Sequence, residues 1–182
     1  MLIEDSELLN MFQEESKRHE AFSILLKKYQ QKIYWHVRRM VIDHDDADDI
    51  VQEVFIKVWK NINSFRQDSQ LYTWIYRIAT NECITFLNKK KNHLNISYEE
   101  LAEKLEDSLN DDNYFSGEAI QKKLQKAILA LPEKQRLVFN MKYYDDLKFQ
   151  EISDILGTSV GALKTSYHLA VKKIEKFLLT SD

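Results

Sequence analysis

The chain has 182 residues and a mass of 21.7 kDa, room for one domain or two small ones at roughly 100–200 residues per domain. Hydrophobic residues make up 44% and charged residues 30%, which allows a buried core and excludes general disorder. With 3 Gly and 1 Pro, a turn-rich all-β chain is disfavoured and long helices are the default. The single cysteine, Cys83, excludes a disulfide framework and a thiolate zinc site.

Residues 1–10 are acidic and lack a basic region followed by an apolar run, so no signal peptide is expected. No apolar stretch approaches the roughly 18 residues that span a bilayer. A soluble, cytoplasmic chain without membrane insertion is expected. Net charge is −3, unpromising for a nucleic-acid binder, but the charge is unevenly spread. Residues 1–96 carry 14 basic and 14 acidic groups, residues 97–118 carry 1 against 8, and residues 119–182 carry 11 against 7. The acidic middle masks a basic C-terminal part.

From about Ser6 to Asn92 the pattern is helical. Phe22, Leu25, Leu26, Tyr29, Ile33, Val37, Met40 and Val41 recur at steps of three and four. Ile50, Val51, Val54, Phe55, Val58 and Trp59 do the same, and so do Leu71, Trp74, Ile75, Ile78 and Ala79. Polar breaks at Asp43–Asp49 and Asn61–Gln70 separate these stretches. Aspartates suit a helix start, where unpaired N–H groups and the positive dipole end lie. Residues 93–117 change character: Ser97-Tyr98-Glu99-Glu100 opens an acidic run, read as a self-repelling, extended linker with room for one short helix. Periodicity returns with Ile120, Leu124, Ala127, Ile128 and Leu131, and Pro132 suits the first turn of the next helix. The expected fold is all-α: two helical domains, 1–92 and 118–182, joined by a flexible acidic linker.

The sharpest local signal runs from Phe149 to His168 (FQEISDILGTSVGALKTSYH). Ile152, Ile155 and Leu156 form one short helical face, and Gly157 can take the left-handed conformation that ends it. Thr158 or Ser159 can cap a second helix whose apolar stripe is Val160, Leu163, Tyr167, Val171 and Ile174. A short helix, a glycine turn and a capped second helix match a helix-turn-helix. The second helix of such a motif enters the major groove by its first turns. That nominates Ser159, Gly161, Ala162, Lys164, Thr165 and His168 for base recognition, with Lys172, Lys173 and Lys176 placed for phosphates. An ordinary helical hairpin with a basic solvated face is the competing reading of this segment alone.

Taken together, these blocks resemble the extracytoplasmic-function sigma factors, small promoter-recognition subunits of bacterial RNA polymerase. The run from Asp46 to Trp59 (DADDIVQEVFIKVW) is similar to the family's polymerase-binding helix. Phe65-Arg66 with Leu71 to Asn81 (LYTWIYRIATN) is similar to its element for the promoter region near the start site. Ala130 to Phe139 (ALPEKQRLVF) with the helix-turn-helix is similar to its second DNA-binding domain. The resemblance implies that Asp49, Gln52 and Glu53 contact core RNA polymerase. It implies that Asn63, Ser64, Phe65 and Arg66, with Tyr72, Arg77 and Asn81, hold unpaired promoter bases, which stack and flip into protein pockets. Lys89, Lys90 and Lys91 would hold phosphates, whose neutralisation releases counterions. Members are often held inactive by an anti-sigma factor, so that partner is implied too. No cofactor, metal, catalytic residue or small-molecule substrate is expected.

The fit has departures. Lys148 stands where many relatives place a capping Ser or Thr ahead of Glu151, so the capping box is expected to be lost. Ser166, Leu169 and Val171 occupy places that often carry arginine, and His168 reads equally as a DNA contact or a packing residue. Two alternatives are distinguishable. A stand-alone helix-turn-helix regulator would find its operator without polymerase. A metal-dependent phosphohydrolase would use His44-Asp45 with nearby aspartates and His19 or His36.

Overall fold

The computed structural model describes residues 3–111 and 119–180. Nine α-helices run through the described residues: α1 (Asp5–Gln13), α2 (Arg18–Val41), α3 (His44–Asn61), α4 (Leu71–Leu94), α5 (Tyr98–Asp111), α6 (Ala119–Leu129), α7 (Glu133–Tyr143), α8 (Phe149–Leu156) and α9 (Val160–Thr180). Helices α1–α4 form the N-terminal bundle, and α6–α9 form the C-terminal group. The all-α expectation holds.

The N-terminal bundle forms because three helices each carry a stripe spaced for one face. On α2 it is Ala21, Leu25, Tyr29, Ile33, Val37 and Val41, and on α4 it is Leu71, Ile75, Ala79, Cys83 and Leu87, both in steps of four. Helix α3 contributes Ala47, Ile50, Val51, Val54, Phe55 and Val58. Trp74, Ile78 and Phe86 are half-buried at the edge of this core. Helix α1 seats Leu8, Leu9 and Phe12 against it. Its Asp5 carboxylate accepts from the Lys28 ammonium at 2.7 Å and from the Tyr29 hydroxyl at 2.7 Å. Burial first, then the Asp5 hydrogen bond, push the Tyr29 phenol up from its usual range.

The α2–α3 corner is tight. Asp43 N–H donates to the Val41 carbonyl at 2.8 Å, and Ile42 is held at φ 65°. A γ-turn of this hand strains a β-branched residue; burial of the Ile42 side chain to 1% exposure offsets the cost. Asp43 caps α3 by accepting from Asp46 N–H at 2.9 Å. The helix therefore starts at His44, earlier than the acidic break implied, and Asp45 to Asp49 lie within its first turns.

The acidic segment departs from an extended linker. Tyr98–Asp111 is a 14-residue helix. Leu101, Leu105 and Leu109 are buried on one face, while Glu99, Glu100 and Glu103 are exposed. Each fully buried leucine contributes about 1.5–3 kcal/mol, against a few tenths for each exposed like-charge pair, so packing outweighs repulsion. Ser97 and Glu100 complete a reciprocal capping box: Glu100 N–H donates to Ser97 Oγ at 3.1 Å, and Ser97 N–H donates to Glu100 Oε2 at 2.6 Å. The Ser97 N–H first, then the Ser97 hydroxyl, holds the Glu100 carboxyl below its usual range. Tyr98 receives a hydrogen bond from Arg136, whose guanidinium lies over its ring at 5.4 Å, and Lys126 pairs with Glu106 at 3.1 Å. Residues 112–118, which include the rest of the linker, lie outside the described residues.

In the C-terminal group, Ala127, Ile128, Leu131, Phe139, Ala170 and Ile174 form one apolar cluster. Ile152 and Ile155 of α8, with Leu137, Val138 and Met141 of α7, belong instead to the cluster that contains the N-terminal core. Gly157 at φ 64° ends α8 in the left-handed region, as its position in the sequence led one to expect.

Replacing Ser97 by Ala removes one half of the α5 box and is expected to cost about 1 kcal/mol. Amide exchange in the first turn of α5 should accelerate roughly fivefold while α2–α4 stay protected. Unchanged protection of that turn would mean that Leu101, Leu105 and Leu109 alone hold it.

Candidate nucleic-acid interface

The helix-turn-helix is built as the sequence implied. Ser159 Oγ accepts from Ala162 N–H at 3.3 Å and caps α9. Leu163 and Ala170 are buried, with Ile174 below them. Tyr167 stacks on Phe139 with ring centroids 5.8 Å apart and meets Phe149 edge-on at 5.9 Å. These contacts fix the helix's rotation. Ser159, Gly161, Ala162, Lys164, Thr165 and His168 are consequently all exposed, as are Lys172, Lys173 and Lys176. Lys148 supplies no acceptor for the α8 start, but half of the box persists: Lys148 N–H donates to Glu151 Oε2 at 2.7 Å. The expected loss of that capping box is therefore only partial.

On α3, Asp49, Gln52 and Glu53 sit at steps of three and four, which places them on one helix face, and all are exposed. Ile56 continues that side at 42% exposure. Beside it, between α2 and α3, lies an apolar groove of about 1130 Å³, lined in part by Phe22, Leu26, Trp35, Gln52, Phe55 and Trp59. Sequence reasoning assigned several of these aromatic and aliphatic residues to the core stripe. The signal for a groove was the double occupancy, Leu25 with Leu26 and Val54 with Phe55, which makes the apolar faces wider than the packing needs.

The residues expected to hold a single strand are split. Asn63, Ser64 and Arg66 are exposed in the loop before α4, and Asn81 is exposed on α4. Phe65 is half-buried against Trp74, ring centroids 5.2 Å apart. Tyr72 and Arg77 are engaged elsewhere. The Tyr72 hydroxyl donates to the Glu151 carboxylate, and Arg77 donates to the Asp154 carbonyl at 2.5 Å, both on α8. Tyr76 is buried beside His36, 4.9 Å between rings. Burial, then the negative Asp145, push its phenol up. Of the lysine run, Lys89 is exposed, Lys91 is half-buried, and Lys90 pairs with Asp46 at 2.6 Å. That pairing draws one of the acid-run carboxylates to α4.

The C-terminal group meets the N-terminal bundle through a second polar cluster. The Asp145 carboxylate follows α7 and its side chain is 3% exposed. It lies 3.0 Å from His36 Nδ1 and accepts from Arg39. His36 Nε2 lies 2.9 Å from the Thr80 hydroxyl, and the Arg39 guanidinium stands over the Tyr144 ring at 4.7 Å.

The histidines weighed for catalysis each make a contact within the fold. His19 packs on Trp59 at 5.0 Å, His36 serves the Asp145 cluster, and His44 lies 2.7 Å from the Tyr34 hydroxyl. Among the described residues no three His, Cys, Asp or Glu side chains converge as metal ligands. Cys83 is fully buried, and burial pushes its thiol up, away from the thiolate form a nucleophile needs.

An all-helical chain with a capped helix-turn-helix at one end and an acidic-faced helix bundle at the other is the architecture of a promoter-recognition subunit. Residues 25–93 match the Sigma-70 region 2 family model and residues 121–174 match the Sigma-70 region 4 model. The ECF RNA polymerase sigma factor SigW of Bacillus subtilis strain 168 is 34% identical over 167 residues, covering 87% of this chain and 89% of that protein. The ECF RNA polymerase sigma-E factor of Escherichia coli K12 is 30% identical over 164 residues, covering 86% and 85%. The chain belongs to the extracytoplasmic-function sigma factors, which direct RNA polymerase to promoters. The fold agrees. The sigma factor RpoE of Bartonella quintana, solved with the anti-sigma factor NepR, superposes with a TM-score of 0.68 at 19% identity over 88% of this chain and 98% of that one. CnrH, solved with the cytosolic domain of CnrY, gives 0.70 at 19% identity over 98% and 100%. Family membership sets aside the stand-alone regulator. Sigma factors are regulators, and among the described residues no helix is long and apolar enough to cross a membrane.

Because Cys83 sits in the α4 stripe, its thiol should react with a disulfide reagent only after global unfolding. Native labelling should run about a thousandfold or more slower than in denaturant, in line with ordinary folding free energies. Prompt labelling of the folded chain would contradict the packing of α4.

Proposed function

We propose that this sigma factor divides its work among three surfaces. The first is the α3 face of Asp49, Gln52 and Glu53 with the adjoining groove, which takes core polymerase. The observation that carries this reading is the pairing of an exposed acidic edge with an apolar groove on the same pair of helices. Charge at the rim steers a basic partner and fixes its register, and the groove supplies the burial that holds it.

The second surface is the loop from Asn61 to Gln70 with α4. Asn63, Ser64, Phe65 and Arg66, then Tyr72, Arg77 and Asn81, take unpaired bases of the opened promoter, with Lys89, Lys90 and Lys91 on the phosphates. Binding bases only when unpaired offsets the cost of unpairing them, so no covalent chemistry is required. The third surface is α9. Ser159, Gly161, Ala162, Lys164, Thr165 and His168 read the distal duplex, and Lys172 and Lys173 hold its backbone. Exposure of every one of these α9 positions supports the assignment. Tethering two weak contacts gives avidity while each remains releasable.

The units are 1–92 for polymerase and the proximal element, 93–117 as connector, and 118–182 for the distal element. The protein acts in the cytoplasm without catalysis, cofactor or metal of its own. An anti-sigma factor is its regulator, a reading supported by the similar fold of RpoE having been solved with the anti-sigma factor NepR.

Gln52→Ala with Glu53→Ala should weaken association with core polymerase at least tenfold while helix content stays unchanged. Both side chains are exposed, so the fold does not depend on them. Normal affinity for core would overturn the α3 assignment. Asn63→Ala with Arg66→Ala should leave core binding intact and abolish permanganate reactivity of promoter thymines. Persistent opening would move strand capture to another surface.

A further inference from the structure

We infer that Arg18 is a positioning residue for strand capture: from the start of α2 it holds the end of α3 from which the capture loop departs. The inference rests on the reading of Asn63, Ser64, Phe65 and Arg66 as strand contacts given above. Arg18 itself touches no base; it acts through Trp59.

Arg18 is locally out of place. As the first residue of α2 it sets a positive charge against the positive end of its own helix dipole, which is unfavourable there. The charge is used on the neighbouring helix. Its guanidinium donates to the Trp59 carbonyl at 3.2 Å and stands over the Trp59 ring at 4.5 Å. Trp59 lies in the last turn of α3, where carbonyls lack intrahelical partners and the dipole is negative. Arg18 is therefore a cap for α3 supplied from 41 positions away in sequence.

Other caps at this end are local. Asn61 Nδ2 donates to the Lys57 carbonyl at 2.8 Å, and Ser64 Oγ donates to the Asn61 carbonyl at 2.7 Å. They shape the turn of Ile62–Ser64 but do not fix it against the bundle. That falls to Arg18 at Trp59, to Ile62 at 2% exposure, and to Phe65 against Trp74. Just beyond, Gln67 is held at φ 60°, a left-handed conformation that a residue other than glycine keeps when the flanking structure imposes it. Asn63, Ser64 and Arg66 are exposed along this stretch, so their placement is set by these supports. Trp59 also packs with His19 and Phe22, ring centroids 5.0 Å apart in each case, and lines the α2–α3 groove. The residue that Arg18 grips is thus a wall of the proposed polymerase site and the root of the capture loop at once.

The test uses the full chain with core polymerase and a promoter already opened by mismatches near the start site. Arg18→Met keeps an apolar stem beside Trp59 and removes the charge and the donor. Affinity of the assembled polymerase for the opened promoter should fall about fivefold, the scale of one polar contact, while affinity for core and helix content by circular dichroism stay as in wild type. In an Arg66→Ala background the same substitution should cost less than about twofold, because positioning matters only through the group positioned. Amide exchange at Phe65 should quicken in the free chain. Should methionine lower helix content, Arg18→Gln takes its place under the same expectations. An undiminished loss in the Arg66→Ala background, an equal loss of core affinity, or unchanged exchange at Phe65 would each overturn the positioning role. If Arg66→Ala and Asn63→Ala both leave binding to the opened promoter untouched, the loop assignment itself is wrong, and the inference falls with it.

Discussion

The four-residue spacing of Leu71, Ile75, Ala79, Cys83 and Leu87 is the constraint on which the rest of this molecule depends. It seats α4 against α2 and α3 and thereby fixes which α4 side chains remain outside. Tyr72, Arg77 and Asn81 project from a helix whose rotation is set by buried apolar residues, so packing positions their chemistry. The same helix also meets α8. One element thus serves as core, as candidate binding surface and as the contact between domains. A change in its stripe would disturb all three at once, whereas a change in its outer residues need not disturb the fold.

The N-terminal bundle offers two faces of different character. On α3, carboxylates and Gln52 stand beside an apolar groove. On α4 and its preceding loop, amides, hydroxyls, aromatic rings and cations dominate. Negative charge repels phosphate and positive charge attracts it, so the proposed division would sort the two faces of one small bundle by sign between a protein partner and a nucleic acid. The acid-run carboxylate that does not fit this division, Asp46, is neutralised by Lys90 at 2.6 Å.

Much of this was legible in the sequence because it is local. The helices follow from apolar spacing, Gly157 marks the end of α8, and the exposed α9 positions follow from the stripe opposite them. The Asp49, Gln52 and Glu53 face is likewise a matter of three- and four-residue steps. The reading of residues 93–117, a self-repelling linker with room for one short helix, was also local. Ser97 and Glu100 spell a capping box, and Leu101, Leu105 and Leu109 keep a four-residue step, yet the density of acids suggested extension. Acids spread along one exposed face cost less than three buried leucines return. The contacts of Tyr72 with Glu151 and of His36 with Asp145 were not legible at all. They join residues 79 and 109 positions apart, and no periodicity carries that information. The α2–α3 groove was hidden for a related reason, since a cleft belongs to two helices at once.

The helical state of α5 bears on how far the two DNA-binding ends can stand apart. Its 14 residues measure about 21 Å when coiled and about 46 Å when drawn out straight. Covalent length is the same in both cases, so the reach of the connection is governed by a melting transition rather than by the number of links. Pulling the ends asunder would first meet the resistance of three leucines and a serine hydroxyl, then release slack of about 25 Å in one step. Such a joint behaves as a ratcheted strap, short by default and long on demand.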